Sequence, residues 1–209
     1  MLRLGIYFNV FFGLIFLFVF PPFGLLLLLI GFLLIVIVIT NRKADILDDW
    51  SILIKNAQGQ RDKVISVTKG LITDSKAPSM ELKEENVGPT LALASFGETR
   101  DFLIVTNRVN AKLSNFKTFV NANDYGENLF VSWHLTYRPD FLQSLVMLLP
   151  GAKKVLSIDD LNLFNKQDLT AYATNVHHCL LETVEKLMTN MNQDPSKIER
   201  KSRGFLGIS

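Results

Sequence analysis

Apolar side chains follow one another almost without break over residues 4–20 and again over 25–39, and the two runs are separated by Pro21-Pro22-Phe23-Gly24. Only Asn9 interrupts them, and no charge lies between Arg3 and Arg42. A water-surrounded fold cannot hide so long a run, and a spanning helix needs about 20 apolar residues, with roughly 17 at the short end. Two arms of about 17 residues fit inside the stretch, one on each side of the double proline. Two prolines in succession stop a helix, because proline lacks the amide donor and clashes with the preceding turn. Lipid demands that every backbone amide be paired internally, which favours two helices joined by a tight turn. The pattern therefore predicts a transmembrane helical hairpin whose membrane turn is Pro21, Pro22, Phe23 and Gly24. A re-entrant wedge and a single span are the rival geometries. A cleaved signal peptide lacks its small-residue cleavage site here. Gly13, Gly24 and Gly31 would let helices approach closely, but they form no G-x-x-x-G pair, and ordinary lipid-facing packing is the preferred reading.

Beyond residue 43 the periods change. Ile46, Trp50, Leu53, Ile54 and Ala57 recur at helical spacing and predict a helix, although Trp50, Ile52 and Ile54 alternate as a strand would. Trp50 suits a core position better than an interfacial one. Val64, Val67 and Leu71 predict a helix over 58–73, closed by the turn formers around Pro78. Residues 80–87 alternate weakly and carry charge, the mark of an edge strand. The β signal is clearest in 102–106, in 116–121 and in 129–137, where Leu129, Val131, Trp133, Leu135 and Tyr137 share one face. The turn formers of 121–127 join the last two into a β-hairpin.

Residues 141–149 are nearly all apolar, too short to span, and predict a core helix packed over the sheet; the alternative is a helix on the membrane surface. The longest soluble helix is expected over 166–191, where Leu169, Ala173, Val176, Leu180, Val184, Leu187 and Met191 step by threes and fours. Asn165 is its expected N-cap, with Asp168 at the third helical position and Phe164 and Leu169 as a hydrophobic staple. The fold class is α+β: the helical hairpin, then a two-layer domain of three or four antiparallel strands against a long C-terminal helix. The expected domains are a membrane anchor over 1–43, an α+β domain over 44–193 and a basic tail over 194–209.

Charge sets the orientation. Arg3 with the chain amine flanks one end of the apolar stretch and Arg42 with Lys43 the other, while the turn carries none. Lys and Arg remain on the cytoplasmic side, so these flanks and the domain beyond are expected to be cytoplasmic. Of the 209 residues about 170 remain for soluble structure, enough for one core. A net charge of +2 gives no footprint for nucleic acid. The single cysteine, Cys179, excludes an internal disulfide and suits a reducing compartment. The tail, with Lys197, Arg200, Lys201 and Arg203 ahead of Phe205 and Leu206, offers a possible contact for anionic lipid or a partner; otherwise it folds back on its own domain.

Candidate chemistry is sparse. His177-His178-Cys179 is the one suggestive cluster, but adjacent histidines on a helix point about 100° apart and cannot share a metal unaided. His177 reads as a boundary residue with one hydrogen bond, His178 as solvated, and Cys179 as a small packed group. His134 has a carboxylate within conceivable reach in Asp159 or Asp160, which otherwise read as loop or helix-start acids. There is no phosphate-binding glycine loop, nucleophile elbow or paired-cysteine zinc pattern, and no cofactor is expected. The expectation is a membrane-anchored binding or assembly protein. Its partners would be the lipid bilayer and another membrane-associated protein or a second copy. The competing class is an enzyme on a membrane-delivered substrate, with His134 or His177 at the base of a cleft.

Overall fold

The computed structural model describes residues 2–40, 44–78, 80–88, 99–107, 113–148, 161–204, 206 and 208. The chain divides into two units: Met1–Lys43 with Thr90–Phe96 and Pro139–Ser157, and Ala44–Pro89 with Gly97–Arg138 and Ile158–Ser209.

The first unit holds α1 (Leu2–Val19) and α2 (Pro21–Thr40), and further along the chain a six-residue helix that becomes α4 (Phe141–Val146). Proline opens α2 because its missing amide would have no intrahelical acceptor there. The span Pro21–Ile39 is long and apolar enough to cross a membrane, and Leu4–Val19 is a shorter apolar helix. The two run antiparallel: Gly5 lies beside Leu34, Gly13 beside Leu28, Gly31 beside Val10, and Gly24 against the Leu17 backbone. Gly13, Gly24 and Gly31 thus face the neighbouring helix and are buried, correcting the expectation that they face lipid. At Gly24 the approach is closest, and a Cβ would lie 2.3 Å from the Leu17 amide nitrogen. Asn9, the lone amide in α1, donates to the Gly5 carbonyl of its own helix at 2.8 Å.

The second unit is a five-stranded antiparallel sheet of order β1-β5-β4-β3-β2, one strand more than the largest expected number. Its strands are β1 (Asp45–Ile54), β2 (Met80–Val87), β3 (Arg100–Asn107), β4 (Phe116–Tyr125) and β5 (Asn128–Tyr137). The additional strand is β1, where a helix was expected. A bulge between Ile46 and Asp48 breaks the alternation, while Trp50 and Ile54 point into the core and Leu53 away from it. The expected edge strand is found as β2. β4 runs on to Tyr125, so the loop to β5 is only Gly126-Glu127, with Gly126 at φ +61°, where a glycine costs least.

Two helices share one face of the sheet: α3 (Arg61–Asp74) packs on α5 (Leu163–Asn190) and on β4. Leu103, Val120, Trp133 and Trp50 lie in register across β3, β4, β5 and β1, and all are buried. The apolar stripe of α5, from Leu169 through Val176 and Leu180 to Leu187, is buried as its spacing predicts. The helix starts three residues earlier than expected. Asn162 is the N-cap and accepts from the Asn165 amide, so Asn165 lies inside the helix. Phe164, 72% exposed, closes no staple.

Candidate functional site

The outer surface of α1 and α2 is apolar. Along α1 the side chains of Leu4, Phe8, Phe11 and Phe18 are exposed, and along α2 those of Leu25, Leu29 and Phe32. Soluble monomers rarely show contiguous apolar patches above a few hundred Å². Pro21, Pro22, Phe23 and Gly24, expected as the membrane turn, form the first turn of α2, and Phe20 alone separates the two helices, its carbonyl accepting from the Phe23 and Gly24 amides. Phe16 and Phe23 meet edge to face across it, ring centroids 5.2 Å apart. Of the flanking charges, Arg42 and Lys43 lie outside the described residues; Arg3 is within α1, with its side chain undescribed.

The segment 141–148, expected as a core helix over the sheet, belongs to the first unit. α4 packs on α2, and the Tyr7 hydroxyl of α1 donates to the Leu148 carbonyl. Asp140 caps it in a complete capping box with Gln143. Ser144, Met147 and Leu148 are buried, whereas Phe141, Leu142, Leu145 and Val146 are exposed.

The C-terminal segment folds back on its own domain. Asp48, fully buried, is the reason: Oδ1 accepts from the Gly204 amide at 2.9 Å and Oδ2 from the Leu206 amide at 3.0 Å. Arg203 donates its amide to the Asp49 carbonyl, and Ser202 and Ile208 are joined by two further bonds. Gly204 is required by contact, since a Cβ would lie 2.4 Å from Asp48 Cα. The side chains of Lys197, Arg200, Lys201 and Arg203 nonetheless remain on the surface, Arg200 paired to Glu185 at 2.6 Å. Phe205 lies outside the described residues.

His177 is a core residue, not the boundary residue with one hydrogen bond that its spacing suggested. It is fully buried between Trp50 and Trp133; its Nδ1 accepts from Trp133 Nε1 at 2.9 Å, and its Nε2 meets the Arg200 carbonyl at 2.7 Å. That geometry selects the neutral tautomer with its proton on Nε2. Burial lowers the His177 pKa below its ordinary value, the Arg200 carbonyl and Asp48 opposing and His178 reinforcing the shift. Trp50 completes the cluster by donating to the Glu199 carbonyl at 2.5 Å. The arrangement leaves neither ring nitrogen for catalysis. Cys179 is buried and its thiol pKa is raised, by burial first and then by Glu182, which makes it a poor nucleophile.

His134 lies on the opposite sheet face, in register between Phe119 and Asp49. Its pKa is lowered by burial, with Asp49 opposing, and its Nδ1 has no hydrogen-bond partner among the described residues. Asp159 and Asp160 lie outside those residues. Neither His134 nor His177 is among the residues lining two clefts of the sheet domain. One of these, between α3 and the β2–β3 edge, is crossed by Arg61–Asp101 and Lys69–Glu84 ion pairs, each 2.6 Å long. Another, of about 850 Å³, lies at the β4–β5 turn among Leu53, Arg100, Asn123, Tyr125 and Phe130. No group of three or more metal-ligating side chains occurs among the described residues.

No family model, no curated protein and no solved structure matches this chain.

Proposed function

We propose that this chain is an integral membrane protein that presents its α+β domain to the cytoplasm as a docking module for a membrane-associated assembly. The observation that carries the reading is the pair of apolar helices whose large side chains point outward. Phe18 is 88% and Leu4 75% exposed, in a stretch with no charge from residue 4 to residue 40. In this reading α1 and α2 form a spanning hairpin. At 1.5 Å per residue they are about 27 and 30 Å long, against a hydrocarbon thickness of about 30 Å. The junction at Phe20, just ahead of Pro21-Pro22, lies at the far surface, and Arg3, Arg42 and Lys43 hold both ends on the cytoplasmic side.

The domain's role is binding. The surface best suited to a partner is the cleft at the β4–β5 turn, where Tyr125 is 75% and Leu53 48% exposed beside Phe130 and Arg100. Aromatic side chains with arginine are the commonest anchors of protein interfaces. The exposed basic side chains of Lys197, Lys201 and Arg203 supply a second contact, to a partner or to anionic headgroups.

Topology is tested by single-cysteine labelling from each side of sealed membranes. The buried native Cys179 gives little background, and a cysteine replacing Phe23 should react only from the far side while one replacing Lys186 reacts only from the cytoplasm. Docking is tested by the size of the full chain extracted from native membranes in mild detergent. The expected particle is larger than one copy, and Leu53→Asp with Tyr125→Ala should reduce it. A particle of a single chain, unchanged by that pair, would overturn the docking role and leave the anchor standing.

A further inference from the structure

We infer that α4 is a third membrane contact: a short helix lying in the interface between headgroups and acyl chains, beside the α1–α2 pair. The inference rests on the anchor reading above and adds a lipid-binding element some hundred positions further along the chain.

The argument starts from the two faces of α4. Ser144, Met147 and Leu148 stand three and four apart and are buried on one side. Phe141 with Leu145 and Leu142 with Val146 are each four apart and form the other side, which is exposed at 54%, 38%, 69% and 42%. Water gives no reason for an outward face made only of Phe, Leu and Val, and no charge occurs anywhere from residue 141 to residue 148. Helices this short are marginal in isolation, so its form depends on what holds it. The capping box of Asp140 and Gln143 fixes one end, and α2 and the Tyr7 hydroxyl hold the body and the other end.

The position matches the occupant. Tyr7 is five residues into α1, which places Leu148 about 7–8 Å below the start of that helix. An interfacial helix sinks its apolar face about 5–10 Å, and tyrosine is itself enriched at that depth. The apolar surface of α4 therefore continues that of α1 and α2. From residue 141 to residue 148 the exposed side chains are all apolar, which suits acyl chains, while the exposed Arg138 and Asp140 precede the helix, where headgroups would meet them.

The test uses the full chain in phosphatidylcholine vesicles, with Cys179 replaced by serine and a polarity-sensitive fluorophore at one cysteine. Three positions serve: Leu142 on α4, Phe11 in mid-α1 and Lys83 on β2. Leu142→Cys should be quenched several-fold more by nitroxides near the headgroups than by nitroxides deep in the acyl chains, and shielded from aqueous iodide. Phe11→Cys should show the reverse depth order, and Lys83→Cys should be open to iodide. If the Leu142 label is as open to iodide as the Lys83 label while the Phe11 label stays lipid-quenched, the third contact is overturned and the anchor survives. If the Phe11 label is itself open to iodide, the anchor reading fails and takes this inference with it. Leu145→Cys repeats the measurement, so that a local disturbance at Leu142 does not decide the result.

Discussion

The two units put the same residue types to opposite use. In the unit of α1, α2 and α4, Phe and Leu point outward, and the buried positions of α1 and α2 are Ile6 and three glycines, Gly13, Gly24 and Gly31. In the sheet domain the order is reversed: Trp50, Trp133, Leu135 and Leu180 are at most 1% exposed, and among the described residues charge lies outside except at Asp48. Apolar burial drives the second arrangement, because removing such surface from water is worth roughly 25 cal/mol per Å². On the proposed reading that the first unit lies in lipid, it cannot drive that arrangement, because association in lipid depends on close backbone approach. The difference teaches that the position of glycine, as much as of leucine, reports which solvent a helix was built for.

The hardest way to break the comparison is to remove bulk from the aqueous core. Trp133→Ala leaves a cavity and deprives His177 Nδ1 of its donor, and should cost about 3–5 kcal/mol or more. Urea unfolding of the sheet domain, followed by Trp50 fluorescence, should show its midpoint fall sharply. Phe18→Ala removes a comparable ring from the other unit and should leave that midpoint where it was. A similar loss from both would mean that the outward-facing phenylalanines share the aqueous core.

Much of this division was legible in residue order. The apolar runs on either side of Pro21-Pro22 and the stripe of α5 follow local periodicity and are found where that predicts. What local pattern could not give was set by partners distant in sequence. Asp48 reads as a surface acid, yet it is buried because amides 156 and 158 positions later complete its shell. The bulge beside it shifted the phase of β1 and allowed a helical reading. His177 looked marginal because Trp133, Trp50 and Arg200 all reach it from other elements. Gly13 and Gly31 carried no recognised spacing, since an antiparallel pair sets its close approaches by the turn and not by a repeat.

A charge placed mid-helix sharpens the comparison from the other side. Leu29→Lys, at a 55% exposed position of α2, should impair membrane retention by about 3 kcal/mol, the typical penalty for lysine at a helix centre. Leu29→Ala should be retained as before. Carbonate extraction of membranes expressing each variant measures this. In water the same lysine would be harmless at so exposed a site, so equal retention of both would argue against lipid around α2.

Smaller again is loosening the C-terminal clasp. Asp48→Asn keeps the shape but exchanges a carboxylate for one acceptor and one unwanted donor; charged hydrogen bonds are worth about 1.5–3 kcal/mol. Gly204→Ala forces a methyl onto the Asp48 backbone, at about 1–3 kcal/mol. Each should lower the sheet-domain midpoint and speed proteolysis after Lys201 or Arg203, while bilayer retention is unchanged. Truncation of 194–209 removes the same clasp, so any loss of association it causes has to be compared with its loss of stability.

Proton uptake gives the mildest separation of the two units. The folded pKa of His177 is below its ordinary value, from burial first, and that of His134 is lowered in the same way. An unfolded histidine titrates near about 6.5, so as pH falls through that value the unfolded chain gains protons that the folded chain does not bind. Stability is therefore fully present above about 6.5 and declines as pH falls toward the lowered folded values. The carboxylates of Asp101, Glu85 and Asp194, all lowered chiefly by hydrogen bonds to their neighbours, add losses in the same direction only at more acid pH. The unfolding midpoint should drop between about pH 7 and 5, and His177→Gln should flatten that slope by removing one of its two histidine contributors. No Asp, Glu, His, Lys or Arg occurs between residues 4 and 40, so bilayer retention should stay level across the same interval. A retention that followed the domain's own acid response would mean that the anchor holds only while the sheet is folded.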